Sequence, residues 1–341
     1  MLRFFKNRRA WRFLLLTTVC VLFGPFLYSR VVANYRGAEV ELIEIEQRTD
    51  RATKKIAESG QIIESASQNS LRTLRADLSL VAYNIAHGRG LSESNWTGET
   101  RQKRLQRLDA IAALLAQIDA DVVVLNEVDF DSSWSHHVDQ ARYISEKAGY
   151  PYAAKVHNLD FRVLGWTWRF GNAVLSKHPI GNASVVDLPC YATWEAAIVG
   201  KKRALRCEIE SPQGSFAVIA THLSHRSEAV RAESADVLSS EVSGSKLPTV
   251  LAGDFNSAPT GFPHSTKDAE GQNAIEVLSV NQSLSRIPAE LPDSFEFTFS
   301  SNDPQQVIDW FFIPSDWSVV DYSVTKSGLS DHRPIHTTVR H

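Results

Sequence analysis

Several apolar runs of this chain end in residues able to bind cations or move protons. Val122-Val123-Val124-Leu125-Asn126-Glu127 ends in a carboxylate, Val250-Leu251-Ala252-Gly253-Asp254-Phe255-Asn256 in Asp-x-Asn, and Ile219-Ala220-Thr221-His222 in an imidazole. Toward the C-terminus stand Val307-Ile308-Asp309-Trp310 and Gly328-Leu329-Ser330-Asp331-His332-Arg333-Pro334. Taken singly, each is ordinary, because an acid at a strand end is usually a helix cap or a solvated loop residue. Taken together they form a set of oxygen ligands, carboxylates and imidazoles that suits one hard cation and one phosphate.

Such groups must be carried by secondary structure, and the hydrophobic periodicity predicts which. Leu78–Ile85 reads as a strand, Asp121–Glu127 as another, and Arg101–Ile118 as a helix with Leu105, Leu108, Ile111, Ala112, Leu115 and Ile118 on one face. Further strands are expected over Ala173–Ser176, Ala204–Ile209, Phe216–Thr221, Thr249–Ala252, Val307–Ile313 and Ile335–Val339, and a second helix over Ser227–Ser239. Many strands and few helices suit two packed sheets with helices outside better than a purely parallel doubly wound sheet.

With these residues in place, a family resemblance emerges. Asn84 in Tyr-Asn, Glu127 in Leu-Asn-Glu, His222 in Thr-His-Leu, Gly253-Asp254-Phe255-Asn256, Ile308-Asp309 and Ser330-Asp331-His332 resemble, in order and approximate spacing, the endonuclease/exonuclease/phosphatase superfamily. Gly171-Asn172-Ala173-Val174-Leu175-Ser176 resembles that family's central strand, and the similarity runs through about residues 78–340. Two departures keep the acid and alter only its neighbours: Asn126-Glu127 where Gln-Glu is commoner, and Asp309-Trp310-Phe311-Phe312 where Asp-Tyr-Ile-Phe is usual. The resemblance implies an α/β fold, a four-layer sandwich of two packed mixed β-sheets flanked by helices, over residues 77–341.

It also implies a divalent-metal-dependent phosphoester hydrolase. Mg²⁺ or Mn²⁺, which take oxygen ligands, would be held by Glu127 with Asn84 and Asp331. Asp254 would orient or deprotonate the attacking water, and Asn256 would hold water or phosphate by its amide. His222 and His332 would donate to the phosphoryl oxygens, Asp309 would orient His332 and keep it protonated, and Asn172 would contact phosphate. Arg162, Arg169, Lys201, Lys202 and Arg203 are further sources of positive charge, and His225 reads as a supporting residue. Trp134, Trp166, Trp168 and Trp194 fall in loop regions; buried they are core anchors, exposed they would stack a base or contact lipid.

Composition narrows the setting. Residues 1–36 hold seven Lys/Arg and no acid, so the rest of the chain carries 29 basic against 39 acidic residues, a net charge of −10. An acidic body repels a phosphate backbone at long range, which weighs against strong sequence-independent nucleic-acid binding. Phe13–Ser29 is uncharged and preceded by Arg3, Lys6, Arg8, Arg9 and Arg12, the layout of an export signal. Residues 1–36 are therefore expected to be a transmembrane signal-anchor with the body outside the cytoplasm; a cleaved signal peptide, releasing a secreted or periplasmic protein, is the alternative. Residues 37–76 read as a helical stalk. Three cysteines are too few for a disulfide framework, and whether Cys190 and Cys207 pair is open. The substrate expected is a lipid head group or small phosphoester, with the membrane contacted through the N-terminal helix and no protein partner inferred. A tethered or secreted nuclease, with nucleic acid as substrate, and a catalytically silent binding protein of the same fold are the alternatives.

Overall fold

The computed structural model describes residues 17–21, 23–24, 26–28, 39–45, 77–96, 98–192, 196 and 200–341. Alternating side chains on its strands build two mixed sheets packed face to face, with helices on both outer faces. The first sheet has the order β1 (Val40–Glu44), β4 (Tyr152–Val163), β5 (Trp166–Ser176), β3 (Val122–Asp129), β2 (Asp77–Asn84), β13 (Ile335–Arg340), β12 (Ser318–Val324). The second runs β10 (Leu284–Ile287), β11 (Asp309–Pro314), β9 (Thr249–Asp254), β8 (Gly214–His222), β7 (Arg203–Ser211), β6 (Ile180–Asp187). The pairs β2–β3 and β8–β9 are parallel and the other ladders antiparallel.

The period of two along each strand sorts the core. Leu80 and Ala82 of β2, Val122 and Val124 of β3, Val218 and Ala220 of β8, Val250 and Ala252 of β9, and Phe311 and Ile313 of β11 meet between the sheets. Their odd-numbered neighbours Val81, Tyr83, Val123 and Leu125 face α1 (Arg101–Ile118) and α2 (Gln140–Ala148). On the far side Ile219, Leu251, Trp310 and Phe312 face α3 (Glu228–Gly244) and α4 (Ala274–Ser279). In α1 the expected stripe is the buried one, with Leu108, Ile111, Ala112 and Leu115 inside, and Thr100 caps its first turn by accepting from the Lys103 N–H.

β4 is the longest strand among the described residues, and its middle, Lys155-Val156-His157-Asn158-Leu159-Asp160, is rich in polar side chains. It stays buried because its charges are paired: Asp160 with Arg162 and Arg169, Lys155 with Glu41 at 2.9 Å. That last pair crosses to β1, and here the stalk expectation is corrected. Val40–Glu44 is not helical but an edge strand antiparallel to β4, with Val40 toward the inter-sheet core and Ile43 and Ile45 toward the helix layer. The strand wins because its alternation buries apolar residues on both sides of an open sheet edge. The remainder of the stalk, and most of the N-terminal segment, lie outside the described residues. Those described between residues 17 and 28 are helical, and no helix among the described residues is long and apolar enough to cross a membrane.

Candidate active site

The same parity that buries the core places polar groups at one end of it. Asn84, Asn126, His222 and Asp254 continue the inward-facing rows of β2, β3, β8 and β9, whose C-terminal ends lie side by side, and Asp309 opens the inward row of β11 there. His332 sits just ahead of β13, paired with Phe299 across a short bridge. Glu127 breaks the rule: a register shift in β3 between Leu125 and Val128, with a φ of 51° at Glu127, turns its side chain into the same space. Gly253 is required beside it, because a Cβ there would lie 2.0 Å from the Thr221 carbonyl oxygen and 2.8 Å from Asn126 Oδ1. The result is a cavity of about 330 Å³ lined by Glu127, His222, Asp254, Asn256, Asp331 and His332, with His87 and Lys202.

One chain of polar contacts runs along its floor. Asp309 Oδ2 lies 2.9 Å from His332 Nδ1; His332 Nε2 lies 3.6 Å from Asp254 Oδ2; and Asn84 donates to that same oxygen at 3.0 Å. The backbone N–H groups of Asp254 and Asn256 are held by Asn126 Oδ1 at 3.0 Å and Asp254 Oδ1 at 2.9 Å. Burial favours the neutral imidazole of His332, but Asp309 and Asp254 outweigh it and lift the pKa to about 10. Burial likewise pushes Asp254 up, to about 7, opposed by His332 and seconded by Asp309. An acid poised near neutrality beside a protonated imidazole is the arrangement that proton transfer to and from water needs.

A second group surrounds Glu127. Its Oε2 lies 3.3 Å from His87 Nε2 and 3.4 Å from Arg89 Nη1, and its Oε1 3.9 Å from His222 Nε2. Burial would raise its pKa, yet His87, Arg89 and Lys202 together hold it well below the usual carboxylate range. His222, 3.5 Å from Asp254, goes the other way: burial and Lys202 depress its pKa, Glu127 opposing, so it is a neutral imidazole. The two histidines thus face the cavity in opposite charge states.

A divalent cation fits this donor set at Glu127, a carboxylate on the cavity wall that its neighbours hold ionised. Asp331 is beside it, although Arg89 Nη2 already reaches Asp331 Oδ2 at 2.7 Å, so one guanidinium spans both carboxylates. Asp254, Asp309 and His332 also approach within chelating distance of one another. That trio is a poor cation site, because Asp309 is spent on a protonated imidazole. Asn84, expected above as a metal ligand, turns its nitrogen to the Asp254 carboxylate, which fixes the amide orientation, and its oxygen accepts from the Ala86 N–H at 3.0 Å.

Asn172, read above as a phosphate contact, is fully buried and outside the cavity lining, accepting from Asn126 Nδ2 and donating one N–H to the Arg203 carbonyl, both at 2.8 Å. Asn256 lines the cavity, but its amide donates to the Leu223 carbonyl at 3.3 Å. Arg162 and Arg169 are drawn to Asp160, and Lys201 and Arg203 to Asp187, leaving Lys202 as the member of that basic set on the cavity wall. Cys190 lines the rim and Cys207 is buried between the sheets; both are free thiols. Trp194 lies outside the described residues.

Sequence reasoning passed over His87, Arg89, Asp129 and Asn126. His87 Nδ1 lies 2.8 Å from Asp129 Oδ1, and Trp134 donates to Asp129 Oδ2 at 2.7 Å, so a second acid–histidine pair backs Glu127. The one available signal was their position just past or beside the strand ends already singled out.

Comparison with known proteins gives the following. A family model described as the endonuclease/exonuclease/phosphatase family matches residues 81–332. A structure described as an endonuclease/exonuclease/phosphatase from Beutenbergia cavernae is 25% identical, with a TM-score of 0.60 over 78% of this chain and 72% of that one. The mannosyl-6-phosphatase Bt3783 of Bacteroides thetaiotaomicron is 17% identical with a TM-score of 0.55, covering 77% and 99% of the two chains. The human Nocturnin catalytic domain with bound sulfate is 16% identical, TM-score 0.54, over 77% and 93%. At such identities the last two speak for the fold alone. No curated protein matches the sequence.

Proposed function

The chain belongs to the endonuclease/exonuclease/phosphatase family, and from that premise we propose that it is a divalent-metal-dependent hydrolase of a lipid head-group or small phosphoester, tethered to a membrane with its catalytic body outside the cytoplasm. The observation that carries the reading is the meeting of Asp254 with His332 and His222 at 3.6 and 3.5 Å in one cavity that also holds Glu127. Bound at Glu127, with Asp331 adjacent, Mg²⁺ or Mn²⁺ would neutralise charge on the phosphoryl group. The chain's residues supply the remainder. Asp254, aligned by Asn84, takes the proton of the attacking water as its oxygen bonds to phosphorus, and the ester P–O bond breaks opposite it, the leaving oxygen taking a proton from solvent; His332, kept cationic by Asp309, donates from Nε2 to a phosphoryl oxygen; neutral His222 donates a second hydrogen bond. Lys202 adds positive charge on the cavity wall.

Substrate size follows the cavity: about 330 Å³ admits a phosphoryl group with a small substituent, while Tyr191, Phe170 and Phe299 offer apolar rim surface. The net charge of −10 beyond residue 36 argues against long nucleic acid. Assaying the purified chain with a chromogenic bis-phosphoester, a phosphomonoester, a sphingomyelin-type lipid and supercoiled plasmid, each with Mg²⁺ and with chelator, tests this. Turnover of plasmid alone would replace the reading with a nuclease, and no turnover of any substrate would favour a silent binding protein.

A further inference from the structure

Among the described residues, two elements that touch both carry exposed large apolar side chains. The β4–β5 hairpin ends at Leu164-Gly165-Trp166, where Leu164 is 84% and Trp166 55% exposed. Trp166, Trp168 and Phe170 share one face of β5, so an aromatic row runs from the tip to Phe170 on the cavity wall. Trp96, 58% exposed, packs edge-on against Trp168 and Trp134 beside that row. The second element is the helical stretch within residues 17–28, where Val19, Val21, Phe23, Leu27 and Tyr28 are exposed. Its Phe26 meets Phe161 with ring centroids 5.4 Å apart, and Phe161 is the cross-strand partner of Trp168.

The contact places the hairpin relative to any surface that takes the helix. Phe26 stands near the end of the uncharged run Phe13–Ser29, where a spanning segment would leave the hydrocarbon. The tip lies a few residues beyond Phe161, about 10 Å further at strand rise. Tryptophan prefers the head-group layer, and no Asp or Glu occurs from Phe161 to Trp168. We propose that the Leu164–Trp166 tip docks in the head-group layer of the bilayer that holds the N-terminal segment, aiming the cavity at phosphoesters carried by lipids. This rests on the tethered reading above and adds the surface that orients it.

The test uses the full chain reconstituted in phosphatidylcholine/phosphatidylglycerol vesicles. Trp166 is 55% exposed at the tip, so Trp166→Phe should measurably lower the fluorescence quenching caused by brominated lipid. The double change Leu164→Asp with Trp166→Asp should lower hydrolysis of vesicle lipid by at least about tenfold and leave a soluble bis-phosphoester within about twofold, because two buried apolar side chains are lost from the interface and none from the cavity. Quenching equal in wild type and Trp166→Phe would overturn the docking, as would an equal fall on both substrates. A drop in oligomer mass with unchanged quenching would assign the tip to a second copy instead. Quenching that depends on Trp166 in a chain hydrolysing neither substrate would leave the docking standing and remove the hydrolase reading.

Discussion

Replacing Asp309 with asparagine asks whether this carboxylate sets the charge of His332. Both side chains are buried, and both carboxylate oxygens lie near Nδ1, at 2.9 and 3.2 Å. Burial by itself would pull the imidazole below its ordinary 6.5; Asp309 first, then Asp254, reverse this and bring it to about 10. That difference amounts to roughly 5 kcal/mol in favour of the imidazolium. Asparagine keeps the shape and a hydrogen-bonding oxygen but removes the larger opposing charge, so the pKa should fall by at least about two pH units. Donation to the phosphoryl group requires the protonated ring. The wild-type basic limb of kcat/KM should therefore lie near pH 10, and the variant's should appear well inside the range of about pH 6 to about 9.5. The linkage has the same sign. A folded-state pKa above the unfolded one gives stability that is complete below about pH 6.5 and lost as pH rises through about 10, so the variant's penalty in urea unfolding should be largest at low pH and shrink upward. Measuring kcat/KM on a soluble chromogenic diester decides the matter: superimposed wild-type and variant profiles refute the pairing's role.

His332→Ala should reduce kcat by about 10²- to 10³-fold, the usual loss of one transition-state donor, and lower the melting temperature because buried Asp309 and Asp254 lose their cationic partner; a loss under tenfold, about 1.4 kcal/mol, speaks against donation. Activity should disappear with chelator and return with Mg²⁺ or Mn²⁺, and Glu127→Gln should abolish Mn²⁺ binding in a titration followed by electron paramagnetic resonance while circular dichroism stays unchanged. Arg89→Ala should tighten Mn²⁺ binding by about tenfold, because the guanidinium now shared by Glu127 and Asp331 competes with any cation there; unchanged affinity would refute that competition. Asn126→Leu should cost about 2–5 kcal/mol in urea unfolding, since it orphans the Asp254 N–H and Asn172 Oδ1 in the interior. A cost below about 1 kcal/mol would mean that the buried amide is dispensable.

What sequence alone determined are the features that depend on neighbours along the chain. Apolar alternation marked β2, β3, β8 and β9, the stripe on α1 was legible at helical period, and Glu127, His222, Asp254, Asp309 and His332 stood out because each closes or follows an apolar run. Where buried polar residues are satisfied by distant partners, the pattern failed. β4 was not among the expected strands because the charges of its middle are balanced only by Glu41, Arg162 and Arg169, and Val40–Glu44 looks helical until the open edge of β4 supplies a ladder. The roles of Asn84 and Asn172 were equally hidden, because an amide is donor and acceptor at once and only its neighbours in space choose between them. Asp254 stands 170 residues from Asn84 in the chain. Charge state was decided the same way: His222 and His332 are identical side chains, and one is held neutral and the other cationic by burial weighed against acids brought up by different strands.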